Sequence, residues 1–348
     1  MISGLAGELS DSGALRDSPD QLRARMAEDG YVLMRGLLPA DSVARVRAEV
    51  LTLCRRQGWL RPGSDPQAGL VNPEAACTPA DPEYAALYRK VISLQSFNEL
   101  AHAESLLSLI EMLMQAPDVI PRPAKRSHLI FPQDNVGATP PHQDFPHEQG
   151  AENAYTTWIP LGECPRELGG LAVFAGSHRR GVVEHGFVPG VGGLGIRLDK
   201  IPDVRWLSCD YRTGDVLVFH SLTVHGALPN RTADRLRLSA DFRYQSVRDR
   251  FAAHMLLPTG GALTWEEVYA GWSRTDYQYY WKDLGIVGEP YDYTHYQRRD
   301  REVFALAREG DSHAAEFLVT ISRRNPDPDM RRQAQELLHE LVGTGGES

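Results

Sequence analysis

The apolar positions change period several times along the first hundred residues. In DQLRARMAEDG, Leu22 and Met26 fall on one face of a helix, and Gly30 punctuates the chain behind them. Tyr31–Met34 is a short continuous apolar run, the pattern of a buried strand. Val43, Val46 and Val50 then recur at helical spacing, with Asp41 or Ser42 placed to cap that helix. Residues 60–83, rich in Pro, Gly and Asp, predict a loop. Residues 84–117 predict helix again, with Leu100, Leu106, Leu107, Leu109, Ile110 and Leu113 forming its apolar face.

After Pro121 the pattern shortens. Between Ser127 and Gln245 lie β-branched or aromatic runs separated by turn residues: SHLIF, YTTWIPL, LAVFAG, WLSCDY, DVLVFHSLTVHG and RLRLSADFRYQ. Short strands with turns between them predict a sandwich or barrel. The Gly-rich stretch HGFVPGVGGLGIRLD (185–199) has no G-K-[ST] and no G-x-G-x-x-G opening a helix. It therefore reads as a mobile loop and not as a phosphate cradle. A segment dense in Trp and Tyr follows, from Trp265 to Tyr296, and residues 299–342 read as helices broken at Asn325–Pro328. Helices covering one face of a sheet give a single α+β unit. Its expected parts are a flexible start (1–20), a helical buttress (21–120), a β core (121–246) and an aromatic-rich, helical C-terminal region (247–348).

Composition narrows the partners. The 348 residues carry a net charge of −9, with 42% hydrophobic and 24% charged residues. That balance suits a globular enzyme or binding protein and disfavours nucleic acid or an anionic membrane surface, both of which ask for a basic face. No apolar run is long enough to span a bilayer, and the N-terminus has no signal-peptide pattern. Cys54, Cys77, Cys164 and Cys209 are widely spaced without a C-x-x-C. A disulfide framework or cysteine zinc site is therefore not expected, and a reducing cytoplasm is the expected compartment. The oligomeric state is not legible.

Of the 12 histidines, His142 stands in TPPHQDFPHEQG as H-x-D with Asp144. On extended backbone two residues apart share a face, so imidazole and carboxylate would converge. A third ligand is expected from DVLVFHSLTVHG, where His225 ends the apolar run before Gly226 and is preferred to His220. Two histidines and one carboxylate form the facial triad of non-haem Fe(II) oxygenases, which leaves three adjacent positions open. A 2-oxo acid can chelate through two of them and O2 can take the third. The co-substrate's far carboxylate then needs an arginine fork. In RLRLSADFRYQ, Arg237 and Ser239 point one way, and Leu238, Ala240, Phe242 and Tyr244 the other.

With those motifs in order, the stretch from Gln21 to Tyr244 resembles the phytanoyl-CoA dioxygenase family of Fe(II)/2-oxoglutarate-dependent oxygenases. EDGYVLMRGLLPADSVARVRAEV, PPHQDFP, YTTWIPLGECPRELGGLAVFAGSHRRG and GDVLVFHSLTVHGALPNRTADRLRLS carry the resemblance. It implies a double-stranded β-helix, a cupin-like jelly roll, with helices from both termini packed around it. It also implies oxidative decarboxylation of 2-oxoglutarate to succinate and CO2, coupled to hydroxylation or related C–H oxidation of a small molecule by O2. By the same resemblance His142, Asp144 and His225 hold Fe(II), and Arg237 with Ser239 binds 2-oxoglutarate beside Trp158. Gln133 is expected to add a hydrogen bond. Arg235 and Arg237 straddle the family's usual spacing from the distal histidine, and the R-x-S-x-x-x-R-Y register favours Arg237. An aspartate at 144 leaves no ligand vacancy for a halide, which favours hydroxylation, desaturation or ring chemistry over halogenation.

Other residues have plainer expectations. His178 is a turn residue, His220 lines the barrel without binding metal, and His147 is a substrate contact at most. Asp241 and Arg243 continue the Arg237 stripe and meet either a polar substrate or each other. The 185–199 stretch and the aromatic segment are candidate lids. Nothing in the sequence reads as a basic pocket for a coenzyme A phosphate, so a small polar or natural-product substrate is expected. The competing classes are a non-catalytic cupin-like binding protein and a zinc hydrolase on the same ligands.

Overall fold

A computed structural model describes residues 2, 4–79, 81–132, 139–259 and 263–344. The larger of its two main sheets orders Tyr31–Met34, Val216–His220, Tyr155–Pro160, Arg237–Ser246 and Val119–Pro121, with Arg126–Ile130 also paired to Arg237–Ser246. The smaller orders Gly7–Glu8, Trp206–Ser208, Leu171–Phe174 and His225–Ala227. Most of these strands fall on the apolar runs read from the sequence; the larger sheet also recruits Tyr31–Met34 and Val119–Pro121, and the smaller takes Gly7–Glu8, paired with Leu207 and Ser208, from the stretch expected to be flexible. The arrangement is the expected jelly roll with helices around it.

Period-two alternation explains the layering. Tyr31, Leu33, Leu217, Phe219 and Trp158 point between the sheets, where they meet Leu171 and Val173 of the smaller sheet. Val32, Met34, Val216, Val218 and Ile159 point the other way, onto the N-terminal helices. Every residue of Tyr31–Met34 and of Arg237–Ser246 is buried, so strands covered on both faces read as continuous apolar runs only where both faces are core.

Several local expectations change. The helix after the first strand is Ala40–Arg56, and its N-cap is Pro39 with no side-chain cap. Proline's fixed φ starts that turn, and Asp41 falls in the first turn, where its charge suits the helix dipole. The helix expected over 84–117 is three: Pro82–Ile92, Gln95–Leu100 and Glu104–Met114. The 185–199 stretch is not a free loop. His185–Phe187 and Leu194–Ile196 form an antiparallel hairpin. A Cβ at Gly193 would lie 2.5 Å from the Phe317 ring, so the glycine lets the helix Ser312–Arg324 pack directly on the hairpin.

Most of the aromatic segment is packing. Tyr269 and Trp281 are buried, with Trp265, Trp272 and Tyr280 against them. The Trp272 indole donates to the Ser93 carbonyl, which ties this layer to the N-terminal helices. The C-terminal helices Thr294–Arg308, Ser312–Arg324 and Pro328–Thr344 share a core of their own and break at Asn325. Among the described residues no helix is long and apolar enough to cross a membrane.

Candidate metal and co-substrate site

At one end of the sandwich His142 and His225 face each other across an antiparallel bridge. Each backbone N–H donates to the other residue's carbonyl, at 3.0 and 2.9 Å. Directly opposed residues in such a pair project to the same side, which brings the two imidazoles together. The His142 Nδ1 lies 2.7 Å from the Pro140 carbonyl, and the His225 Nδ1 lies 2.9 Å from that of Thr223. A carbonyl can only accept, so each Nδ1 carries the hydrogen and each Nε2 keeps a free lone pair. Thr223 is held in turn, since its hydroxyl donates to the Gly30 carbonyl. Gly30 has φ of +75° and no room for a Cβ, which would lie 2.4 Å from the His178 ring. His178 stands in the short 3-10 helix Ser177–Arg180 with its Nε2 3.1 Å from the Ala27 carbonyl, a structural role as expected, and the N-terminal helix end helps aim His225.

Asp144 does not share an extended strand with His142, as the sequence spacing had implied. It opens the short helix Asp144–Glu148. Convergence comes from this strand-to-helix turn, pinned by the intervening Gln143, whose amide donates to the Gly181 and Leu222 carbonyls. Asp144 Oδ1 lies 3.8 Å from the Nε2 of both His142 and His225. The three ligand atoms are all within 4.8 Å of one another, and no other such group occurs among the described residues.

The charge states suit a cation. Burial, with His225 nearby, lowers the His142 imidazole to about 3, and burial also lowers His225. Both rings are therefore neutral at neutral pH. Burial would raise Asp144, but the Arg243 guanidinium overrides it and holds the carboxyl well below its usual range. Two neutral imidazoles and one carboxylate, with no fourth protein ligand among the described residues, are donors that fit Fe(II) with positions left open.

A cavity of ≈ 290 Å³ runs from these three residues to Arg237. Arg237 is 2% exposed, and its Nη1 donates to Ser239 Oγ at 2.9 Å. Among the described residues its Nε has no partner, and neither has the indole Nε1 of the equally buried Trp158. Burial lowers Arg237 from its ordinary value. A buried guanidinium without a carboxylate is costly unless an anion comes to it. Arg235 precedes the strand, bridges Leu70 and does not line the cavity. Gln133 lies outside the described residues.

His147 lines the cavity, with its Nδ1 3.1 Å from the Tyr296 hydroxyl and its Nε2 without a partner among the described residues. Tyr296 is the one residue of the aromatic segment that reaches this cavity. His220 accepts from the Leu222 N–H and stands apart from the ligand group. Asp241 pairs with His128 at 3.0 Å, and Arg243 grips Asp144, so the two do not chiefly pair with each other. Sequence reading passed over Thr156, whose hydroxyl donates to Asp144. Its signal was present: it lies two residues before Trp158 on the same strand face.

A sequence profile described as phytanoyl-CoA dioxygenase (PhyH) matches residues 26–238, a span that includes His142, Asp144, His225 and Arg237. The chain belongs to this family. It is accordingly an Fe(II)/2-oxoglutarate-dependent oxygenase, with O2 as co-substrate. The 1-deoxypentalenic acid 11-beta-hydroxylase of Streptomyces arenae is 26% identical over 262 residues, covering 72% of this chain and 89% of the relative. The peroxisomal phytanoyl-CoA dioxygenase of Rattus norvegicus is 27% identical over 244 residues, covering 64% and 68%. Among solved structures, the epimerase SnoN with Fe3+, alpha ketoglutarate and nogalamycin RO aligns at 23% identity and a TM-score of 0.48, over 68% of this chain and 86% of that one. The C-terminal helices lie beyond the matched family span.

Proposed function

We propose that His142 and His225, through Nε2, and Asp144, through Oδ1, hold the Fe(II), and that Arg237 with Ser239 and Trp158 binds the distal carboxylate of 2-oxoglutarate. The observation that carries this reading is the buried Arg237 guanidinium, which pairs with no carboxylate among the described residues and lies at the far end of a cavity that ends at His142, Asp144 and His225. The bound iron supplies oxidation of a substrate C–H bond by O2, coupled to decarboxylation of 2-oxoglutarate to succinate and CO2.

The chain's own part is placement and exclusion of water. Arg237 offers a charge-assisted anchor, and Ser239 holds the guanidinium at its register. Ile130, Leu171 and Ala227 give the cavity apolar walls, which keep the reacting centre dry. The substrate we assign is a compact natural-product scaffold. The cavity volume lies at the low end of the ~300–1,000 Å³ usual for ligand pockets. The Streptomyces hydroxylase named above acts in the same class of chemistry.

Anaerobic titration tests the assignment without a known substrate. The Fe(II)-loaded protein is expected to gain visible absorption as 2-oxoglutarate chelates the metal, and His225→Ala is expected to gain none. Absorption that survives in His225→Ala would move the third ligand elsewhere. Tight Zn(II) binding with no colour from Fe(II) would favour a hydrolase on the same residues.

A further inference from the structure

Arg243 is 6% exposed and lies on the inner face of the Arg237–Ser246 strand. Its Nη2 donates to Asp144 Oδ1 at 3.0 Å and its Nε to Oδ2 at 3.3 Å. Thr156 donates a second hydrogen bond to Oδ2. Arg243 and Thr156 are register partners on adjacent central strands, so both groups that hold the carboxylate belong to one rigid sheet. Asp144 itself stands on a five-residue helix. A carboxylate on so short an element needs outside support to keep one orientation. Oδ2 is bonded twice, and Oδ1, with a single bond, is the oxygen equidistant from both histidine Nε2 atoms.

We propose that Arg243 is the positioning residue of the metal site: its planar fork, with Thr156, fixes Asp144 so that Oδ1 alone faces the two histidines before any metal arrives. This inference rests on the reading of His142, Asp144 and His225 as metal ligands. It also gives Arg243 a task other than meeting substrate. The fork matters as much as the charge, because two donors in one plane set the rotation of the carboxylate, whereas an ammonium group sets only its distance. Arg243 also sets a positive charge 3.0 Å from Asp144 Oδ1.

The test uses Co(II) as the probe metal, with its visible spectrum and the melting temperature as readouts, on the whole protein, Arg243→Lys and Arg243→Met. In Arg243→Met the metal becomes the sole strong counter-charge for Asp144, so Co(II) is expected to raise the melting temperature several degrees more than in the wild type. In Arg243→Lys the extra rise is expected to vanish while the Co(II) spectrum stays altered, because lysine cannot grip both oxygens. An unaltered spectrum in Arg243→Lys overturns the inference, and so does an equal or smaller metal-induced rise in Arg243→Met. If Arg243→Met does not fold, the Arg243→Lys spectrum alone decides. Failure of Co(II) to bind the wild type would instead sink the metal-site reading on which the inference rests.

Discussion

The two faces of the Arg237–Ser246 strand are equally hidden from water and chemically opposite. One face carries Leu238, Ala240, Phe242 and Tyr244 into the main core beneath the N-terminal helices. The other carries Arg237, Ser239, Asp241 and Arg243 toward the cavity. Polar satisfaction separates them. On the helix side the Tyr244 hydroxyl donates to the Ala101 carbonyl. On the cavity side Arg237 Nε, Asp241 Oδ1 and Arg243 Nη1 are all buried without partners among the described residues. Unmet hydrogen-bonding capacity gathered on one face of a cavity suits a ligand that would supply the missing partners, and burial alone does not.

Truncation on the helix face is expected to have the largest effect on stability. Phe242 is fully buried and packs edge-on to Phe97 at 5.3 Å. Phe242→Ala is expected to destabilise the fold by about 3–5 kcal/mol in denaturant titration. A smaller loss, comparable to that of a cavity-face residue, would break the contrast. Arg237→Ala should behave in the opposite way. Stability should change little, while the 2-oxoglutarate concentration for half-saturation rises roughly 10- to 100-fold, the value of losing hydrogen bonds to a charged group. Arg235→Ala should leave that concentration near the wild-type value, and the reverse ranking would move the anchor.

A smaller effect asks whether the helical side also stores ionisable strain. His102 stacks on Tyr277, and burial, then Lys125, lowers its pKa to about 2. Because the folded value lies below the unfolded one, the unfolded chain binds the proton first as pH falls. This histidine's contribution is fully present above about pH 6.5 and erodes below it, by ~1.4 kcal/mol per pH unit. His102→Phe should flatten the acid side of a melting-temperature profile, and an unchanged slope would remove His102 from the account.

Much of the site was legible because chain-local rules generate it. The strand runs and the alternation of Arg237 and Ser239 follow from period two, and the H-x-D pair and His225 stand out beside turn residues, although His225 starts a short strand where the sequence placed it at the end of a run. The places where expectation failed are long-range. Asp144 reaches the histidines through a helix start where an extended segment was expected. Gly193 leaves room at the hairpin for Phe317, far along the chain, to pack directly on it. Tyr296 meets His147 across 149 positions of sequence.

Residue order by itself determined the fold class, the family and the identity of the candidate ligands, since each depends on local spacing and on which side chains can donate electrons to a metal. Tertiary structure decided the partners. Whether Arg243 would meet substrate, Asp241 or Asp144 depended on which inward-facing groups the sheet register brings within hydrogen-bonding reach. That distance is set by the packing of strands far apart in the chain, and no local pattern encodes it.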